Sequence, residues 1–205
     1  MSGHPTGVTL GTGRLEAFSD GVLAIIITIM VLELKVPHDA SLAALEPLLP
    51  VFISYVVSFI YIGIYWNNHH HLMHACTRVT GGILWANLYL LFWLSLVPFV
   101  TAWMGENHFG PAPTALYGVV LLMAGLAYVL LQQQIIASQG PESLLRRAIQ
   151  QDRKGKASYL LYAVAIVLAF RWRWAAQAIY VFVALHWLVP DKRIEATLGS
   201  PTTAL

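Results

Sequence analysis

Apolar residues along the chain gather into long runs separated by short polar stretches rich in proline and glycine. A helix crossing the roughly 30 Å hydrocarbon core of a bilayer needs about 20 mostly apolar residues. Six windows reach or approach that length: Leu15–Leu34, Leu48–Trp66, Gly81–Met104, Thr114–Ile136, Ala157–Phe170 and Trp174–Leu188. The last two are short and are separated only by Arg171, Trp172 and Arg173, which predicts a tight helical hairpin with tryptophans in the headgroup zone. A single re-entrant element is the alternative there. Between the runs stand Pro37, Pro47 and Pro50, the stacked Gly and Pro of GENHFGPAP, and the long basic GPESLLRRAIQQDRKGK. Within the last of these, Glu142–Asp152 predicts a short amphipathic helix on the membrane surface. The pattern as a whole predicts an all-α integral membrane protein with one six-helix transmembrane domain over residues 1–190 and no internal repeat. The small, polar residues 191–205 predict a disordered tail.

Composition points the same way: 58% of residues are hydrophobic and 11% charged, where a soluble domain carries about a quarter charged residues. The formal net charge is +2, and no basic run alternates with aromatics, so a nucleic-acid partner is excluded. The single Cys76 rules out an intrachain disulfide and reads as inert packing. The first apolar run is too long for a signal-peptide core and lacks a cleavage site, so it is expected to stay in the mature protein. With the N-terminus in the cytoplasm, the inner segments collect Arg14, Arg78, Arg146, Arg147, Arg153, Lys154, Lys156, Lys192 and Arg193, against Lys35, Arg171 and Arg173 outside. That asymmetry fits the positive-inside rule and predicts both termini in the cytoplasm. The outer loop after the first span carries Glu33, Asp39 and Glu46, most simply a solvated surface.

Polar residues inside the spans carry the functional content. Asp20 stands in the first span, where a carboxylate costs a few kcal/mol unless it faces the bundle interior and finds a partner. Arg14 lies six residues away, about 120° around the helix, and is a poor partner. In this topology YWNNHHHLMH (Tyr65 to His74) reaches a similar depth, so Trp66, Asn68, His69 and His70 are the nearest donors, and Ser19 can extend the network. His70 and His74, spaced i, i+4, suit zinc with Asp20 as an oxygen donor, but no HExxH glutamate or cysteine pair completes a site. Interhelical hydrogen bonding, without a metal, is therefore the expectation. After Asp20 the first span is almost wholly apolar, and Ile25, Thr28 or Ile29, and Leu32 fall on one stripe.

RLEAFSDGVLAIIIT, of the form R-x-x-x-F-S-D-G/A-x-x-x-I-x-x-T, resembles the opening helix of the bacterial homologues of the lysosomal potassium channel, the transmembrane-protein-175 family. YWNNHHHL resembles the segment that ends the second helix in that family. The resemblance implies one six-helix repeat per chain, assembly as a homotetramer, and four copies of the first helix lining a cation pore in the bacterial plasma membrane. It also implies a pore constricted by apolar rings in place of a carbonyl filter, and the chain has no T-V-G-Y-G. Carried over, Ile25 falls on the narrow isoleucine ring, Leu32 on a further apolar ring and Thr28 on a threonine layer that favours potassium, with Thr28 or Ile29 facing the lumen. Arg14, Phe18, Ser19 and Asp20, with Trp66, Asn68, His69 and His70, fall on the network that ties the pore helix to its neighbour. His71 and Met73 depart from the family pattern.

The function expected is thus a weakly selective, potassium-permeable channel with no cofactor beyond the permeant ion. Its partners are potassium, the bilayer and further copies of itself. The alternative is a proton-coupled transporter or proton pathway through Asp20 and the His69–His71 cluster. Transporters of that kind often show related halves and spans broken at mid-membrane, whereas Pro98 reads as lying toward the end of the third span. A membrane enzyme needs a nucleophile or metal set converging at one depth, and only the histidines offer one.

Overall fold

The computed structural model describes residues 11–140 and 153–188. The expected surface helix at Glu142–Asp152 and the tail from residue 191 lie outside the described residues, as do Arg146, Arg147, Lys192 and Arg193. Helix α1 runs Thr12–Leu32, a 3-10 helix Leu42–Leu48 follows, and α2 runs Leu49–His74 with Pro50 in its first turn. Next come α3 (Gly81–Ser95), α4 (Val97–Glu106) and α5 (Pro111–Gln139). A hairpin of α6 (Arg153–Leu168) and α7 (Arg173–Leu188) completes the described chain. Among the described residues, four stretches are long and apolar enough to cross a membrane: Thr12–Leu32, Leu42–His74, Gly81–Glu106 and Pro111–Gln139. The hairpin has the two packed helices expected, and Arg171 and Arg173 lie over the rings of Trp172 and Trp174 at the turn.

Two boundaries differ from the sequence reading. α2 continues past Trp66 to His74, about two turns further, because no Gly or Pro interrupts it, so the whole histidine run is helical. The third span, expected to be continuous over Gly81–Met104, breaks at Leu96. Pro98 has no N–H to offer the carbonyl one turn earlier, and its ring crowds that turn. Ser95 adds to the local distortion by donating its hydroxyl to the Phe92 carbonyl at 2.7 Å. The tight turn from α4 into α5 holds His108 and Phe109 at positive φ, 47° and 59°. Phe109 is nonetheless buried, and its ring packs on Trp174. Gly140 ends α5 at φ 86°, a conformation that favours glycine.

Without a hydrophobic driving force between helices in lipid, close packing and interhelical hydrogen bonds carry assembly. Both are visible between α2, α4, α5 and α7. The Ser58 hydroxyl lies 2.7 Å from that of Thr101 and 3.0 Å from that of Tyr117. Tyr61 donates to the Tyr180 carbonyl at 2.6 Å, and Tyr180 to the Thr114 carbonyl at 3.1 Å. Where α4 crosses the start of α2, Gly105 lets the backbones touch: a Cβ there would stand 2.6 Å from Val51 Cα.

Gly105→Ala is therefore expected to push α2 and α4 apart and cost about 1–3 kcal/mol, read as a lower unfolding midpoint in detergent. Gly63→Ala, with nothing within 4 Å of the new methyl group, is the matched control and keeps the midpoint or raises it.

Candidate functional site

Helix α1 presents two unlike faces. Leu15, Ser19, Leu23, Ile26 and Met30 are buried against α2, α3 and α4. The opposite face carries Arg14, Phe18, Gly21, Ile25, Thr28 and Leu32, all exposed. The contrast is sharp within a few residues: Ile25 is 58% exposed and Leu32 79%, while Ile26 is 3%. At about 100° per residue, Arg14, Gly21, Ile25 and Leu32 share one line down the helix, flanked by Thr28 on one side and Ile29 on the other. Ile25 and Ile29 both line an open groove that also includes Phe99 and Trp103 of α4. Thr28 donates its hydroxyl to the Ile25 carbonyl at 2.9 Å, so its oxygen lone pairs remain available on the exposed face.

The rotation of α1 is set near its N-terminus by three contacts to other helices. In the first, the Asn87 amide of α3 donates to Ser19 Oγ at 2.9 Å, and Ser19 passes its own proton to the Leu15 carbonyl at 2.9 Å. Asn87 Oδ1 is then the acceptor left for His69 Nε2, at 2.8 Å, which places the imidazole proton on Nε2. All three side chains are buried, and His69 Nδ1 has no hydrogen-bond partner. In the second, Trp66 Nε1 donates to Asp20 Oδ1 at 3.1 Å. In the third, Glu16 Oε1 lies 2.7 Å from His70 Nδ1 and 3.8 Å from His74 Nδ1.

Other candidate residues are placed elsewhere. Asn68 turns its side-chain amide back to the Ile64 carbonyl of its own helix, and its main-chain carbonyl accepts from Tyr128 of α5, so neither bond reaches α1. Asp20 lies about 120° from the exposed line, directed at Trp66. Among the described residues Arg14 makes no ion pair, and it stands with Phe18 on the exposed face. Glu16, not Asp20, is the carboxylate that meets His70 and His74. Asn87 and Glu16 were not singled out from the sequence as partners. The signal for Asn87 was there, an amide alone in the apolar run ILWANLYLLFW.

At the far end of α1, Lys35 pairs with Glu106 at 2.7 Å on the surface, and that carboxylate raises the Lys35 pKa. Burial likewise raises the pKa of the Cys76 thiol, which keeps it protonated and unreactive.

The family described as endosomal/lysosomal potassium channel TMEM175 matches residues 14–98, from Arg14 through α1, α2 and α3 to Pro98. A potassium channel from Chryseobacterium sp. is 55% identical over 186 residues, 91% of this chain and 97% of that one. The chain belongs to the TMEM175 family. The solved structure of a lysosomal potassium-selective channel TMEM175 homolog from Chamaesiphon minutus superposes with a TM-score of 0.77 at 28% identity, covering 87% of this chain and 96% of that one. A TMEM175 relative from Danio rerio, named an endosomal/lysosomal proton channel, is 37% identical over 89 residues, 38% of this chain and 17% of that one. The TMEM175 match takes in all three contacts that orient α1, since Glu16, Ser19, Asp20, Trp66, His69, His70, His74 and Asn87 all fall within it.

Asn87→Leu leaves the buried His69 Nε2 without its acceptor and removes the one hydrogen bond that Ser19 accepts, and is expected to cost about 1–3 kcal/mol, seen as a lower unfolding midpoint in detergent. Trp66→Phe removes one donor from the half-exposed Asp20 and is expected to cost less. Equal losses in the two variants would mean that the Asn87 bridge is not the stronger tie.

Proposed function

We propose that the protein is a potassium-permeable, weakly selective cation channel formed by four copies of the chain around a central axis. The observation that carries this reading is the uncovered face of α1. An apolar line of Ile25 and Leu32, joined by the Thr28 hydroxyl, is left exposed among the described residues, while the opposite face is packed and pinned by polar contacts. Four such lines facing one another would make rings of Ile25 and Leu32 with a hydroxyl layer at Thr28. Apolar rings obstruct ion passage by excluding water, and hydroxyls replace an ion's hydration less completely than a carbonyl cage, hence the weak selectivity. The names of the Chryseobacterium and Chamaesiphon relatives, a potassium channel and a potassium-selective channel, support potassium as the permeant ion. In this reading the protein lies in the bacterial plasma membrane with both termini in the cytoplasm, and it needs no cofactor beyond the ion.

A proton pathway is the second reading, favoured by the name of the Danio rerio relative. The hydrogen bonds speak against a relay through Asp20 and the histidines. The chain from His69 through Asn87 ends on the Leu15 carbonyl, which has no proton to pass on, and it makes no hydrogen bond to Asp20 or Glu16.

In liposomes loaded with potassium, the purified protein is expected to pass potassium electrogenically without a coupled ion. Ile25→Asn wets the constriction and raises the flux. Ile26→Asn, one residue on but buried in the chain's own core, lowers stability and does not raise it. Equal increases at both positions overturn the pore-face assignment, and flux that strictly requires a proton gradient favours the second reading.

A further inference from the structure

We propose that Glu16, His70 and His74 form a binding site for a divalent transition metal ion that bridges α1 to α2. One ligand atom from each lies within 4.8 Å of the other two. His70 and His74, one turn apart on α2, present their rings side by side with centroids 4.2 Å apart. Glu16 comes from the neighbouring helix and directs the same carboxylate oxygen at both, 2.7 Å from His70 Nδ1 and 3.8 Å from His74 Nδ1. Two imidazoles at i, i+4 and one carboxylate are a ligand set that suits zinc, with bonds of about 2.0–2.2 Å and a fourth position left to water.

Hydrogen bonding alone accounts for only part of this arrangement. It explains the 2.7 Å contact of His70 with Glu16. The second imidazole stands too far from that oxygen for a hydrogen bond and uses Nδ1 only on the His70 carbonyl of its own helix, at 3.1 Å. Among the described residues no Lys or Arg forms an ion pair with Glu16, so its charge is met only by the two histidines. Both imidazoles are roughly half-exposed, which leaves an ion a way in, while the carboxylate is more sheltered. Binding requires the 2.7 Å pair to open to about 3.3 Å, the spacing of two ligands on a tetrahedral ion, and His74 to release its backbone contact, both within the reach of side-chain rotation.

If α1 lines a conduction path, as proposed above, an ion held here ties the start of that helix to α2 and slows flux. That consequence rests on the channel reading, whereas the metal site does not.

The test is a titration of zinc chloride into the full-length protein in detergent at neutral pH by calorimetry, followed by thermal unfolding with and without zinc. One zinc ion per chain and a raised midpoint are expected for the native chain. Glu16→Gln, which keeps the shape and a hydrogen bond to His70, and His74→Ala are expected to weaken binding about tenfold or more, while His38→Ala in the exposed loop leaves it unchanged. Absence of zinc binding in the native chain overturns the site, and so does unaltered affinity in Glu16→Gln. Zinc is also expected to slow potassium flux in liposomes for the native chain and not for Glu16→Gln. A protein that binds zinc but conducts nothing would count against the channel reading and leave the metal site standing.

Discussion

Of the three contacts that set the rotation of α1, the one fully buried from water runs through a single amide, that of Asn87. It accepts from His69 on α2 and donates to Ser19 on α1, and neither partner has water to turn to instead. Rotating α1 by one residue, about 100°, would carry Ser19 out of reach and leave the buried Asn87 amide N–H on α3 without its acceptor. In a low-dielectric interior that would cost about 1–3 kcal/mol. The uncovered line through Ile25 and Leu32 is therefore a consequence of a polar bond about two to four turns away from it.

The two neighbouring contacts differ from this one in kind. Trp66 on Asp20 and His70 on Glu16 join a charged or chargeable group to α2 at the rim of the bundle, where water still reaches. Together the three explain why a carboxylate survives at Asp20 in so apolar a helix. It is met by an indole N–H from a second helix, at a depth where full desolvation is not required.

Hydropathy made much of this legible. The spans and the hairpin around Trp172 follow from the lengths of the apolar runs, because in lipid every backbone group must be satisfied within its own helix, whereas singling out Ile25, Thr28 and Leu32 on the almost wholly apolar α1 rests on the family resemblance. What the pattern could not give was pairing. Trp66 and His69 were visible as donors near Asp20 and Ser19, but which of them met which partner depended on the tilt of α3, and so Asn87 went unnoticed. Glu16 meets His70 and His74 only because α2 runs about two turns beyond its apolar run. The break at Leu96 was similarly hidden. Pro98 is plain in the sequence, yet whether it ends a span or bends one depends on whether the chain beyond stays apolar enough to resume the helix, as α4 does.

The distribution of these ties along α1 has a mechanical consequence. Among the described residues, directional bonds from α1 to other helices are confined to Glu16, Ser19 and Asp20, whereas from Leu23 to Met30 the helix is held by apolar side chains, and beyond its end Lys35 makes an exposed ion pair open to screening by salt. Apolar contacts resist separation but offer little resistance to tilting. The helix is thus a cantilever, clamped at its N-terminal end, whose deflection grows toward Leu32, so that a small change of angle at the clamp becomes a larger displacement of the side chains furthest from it.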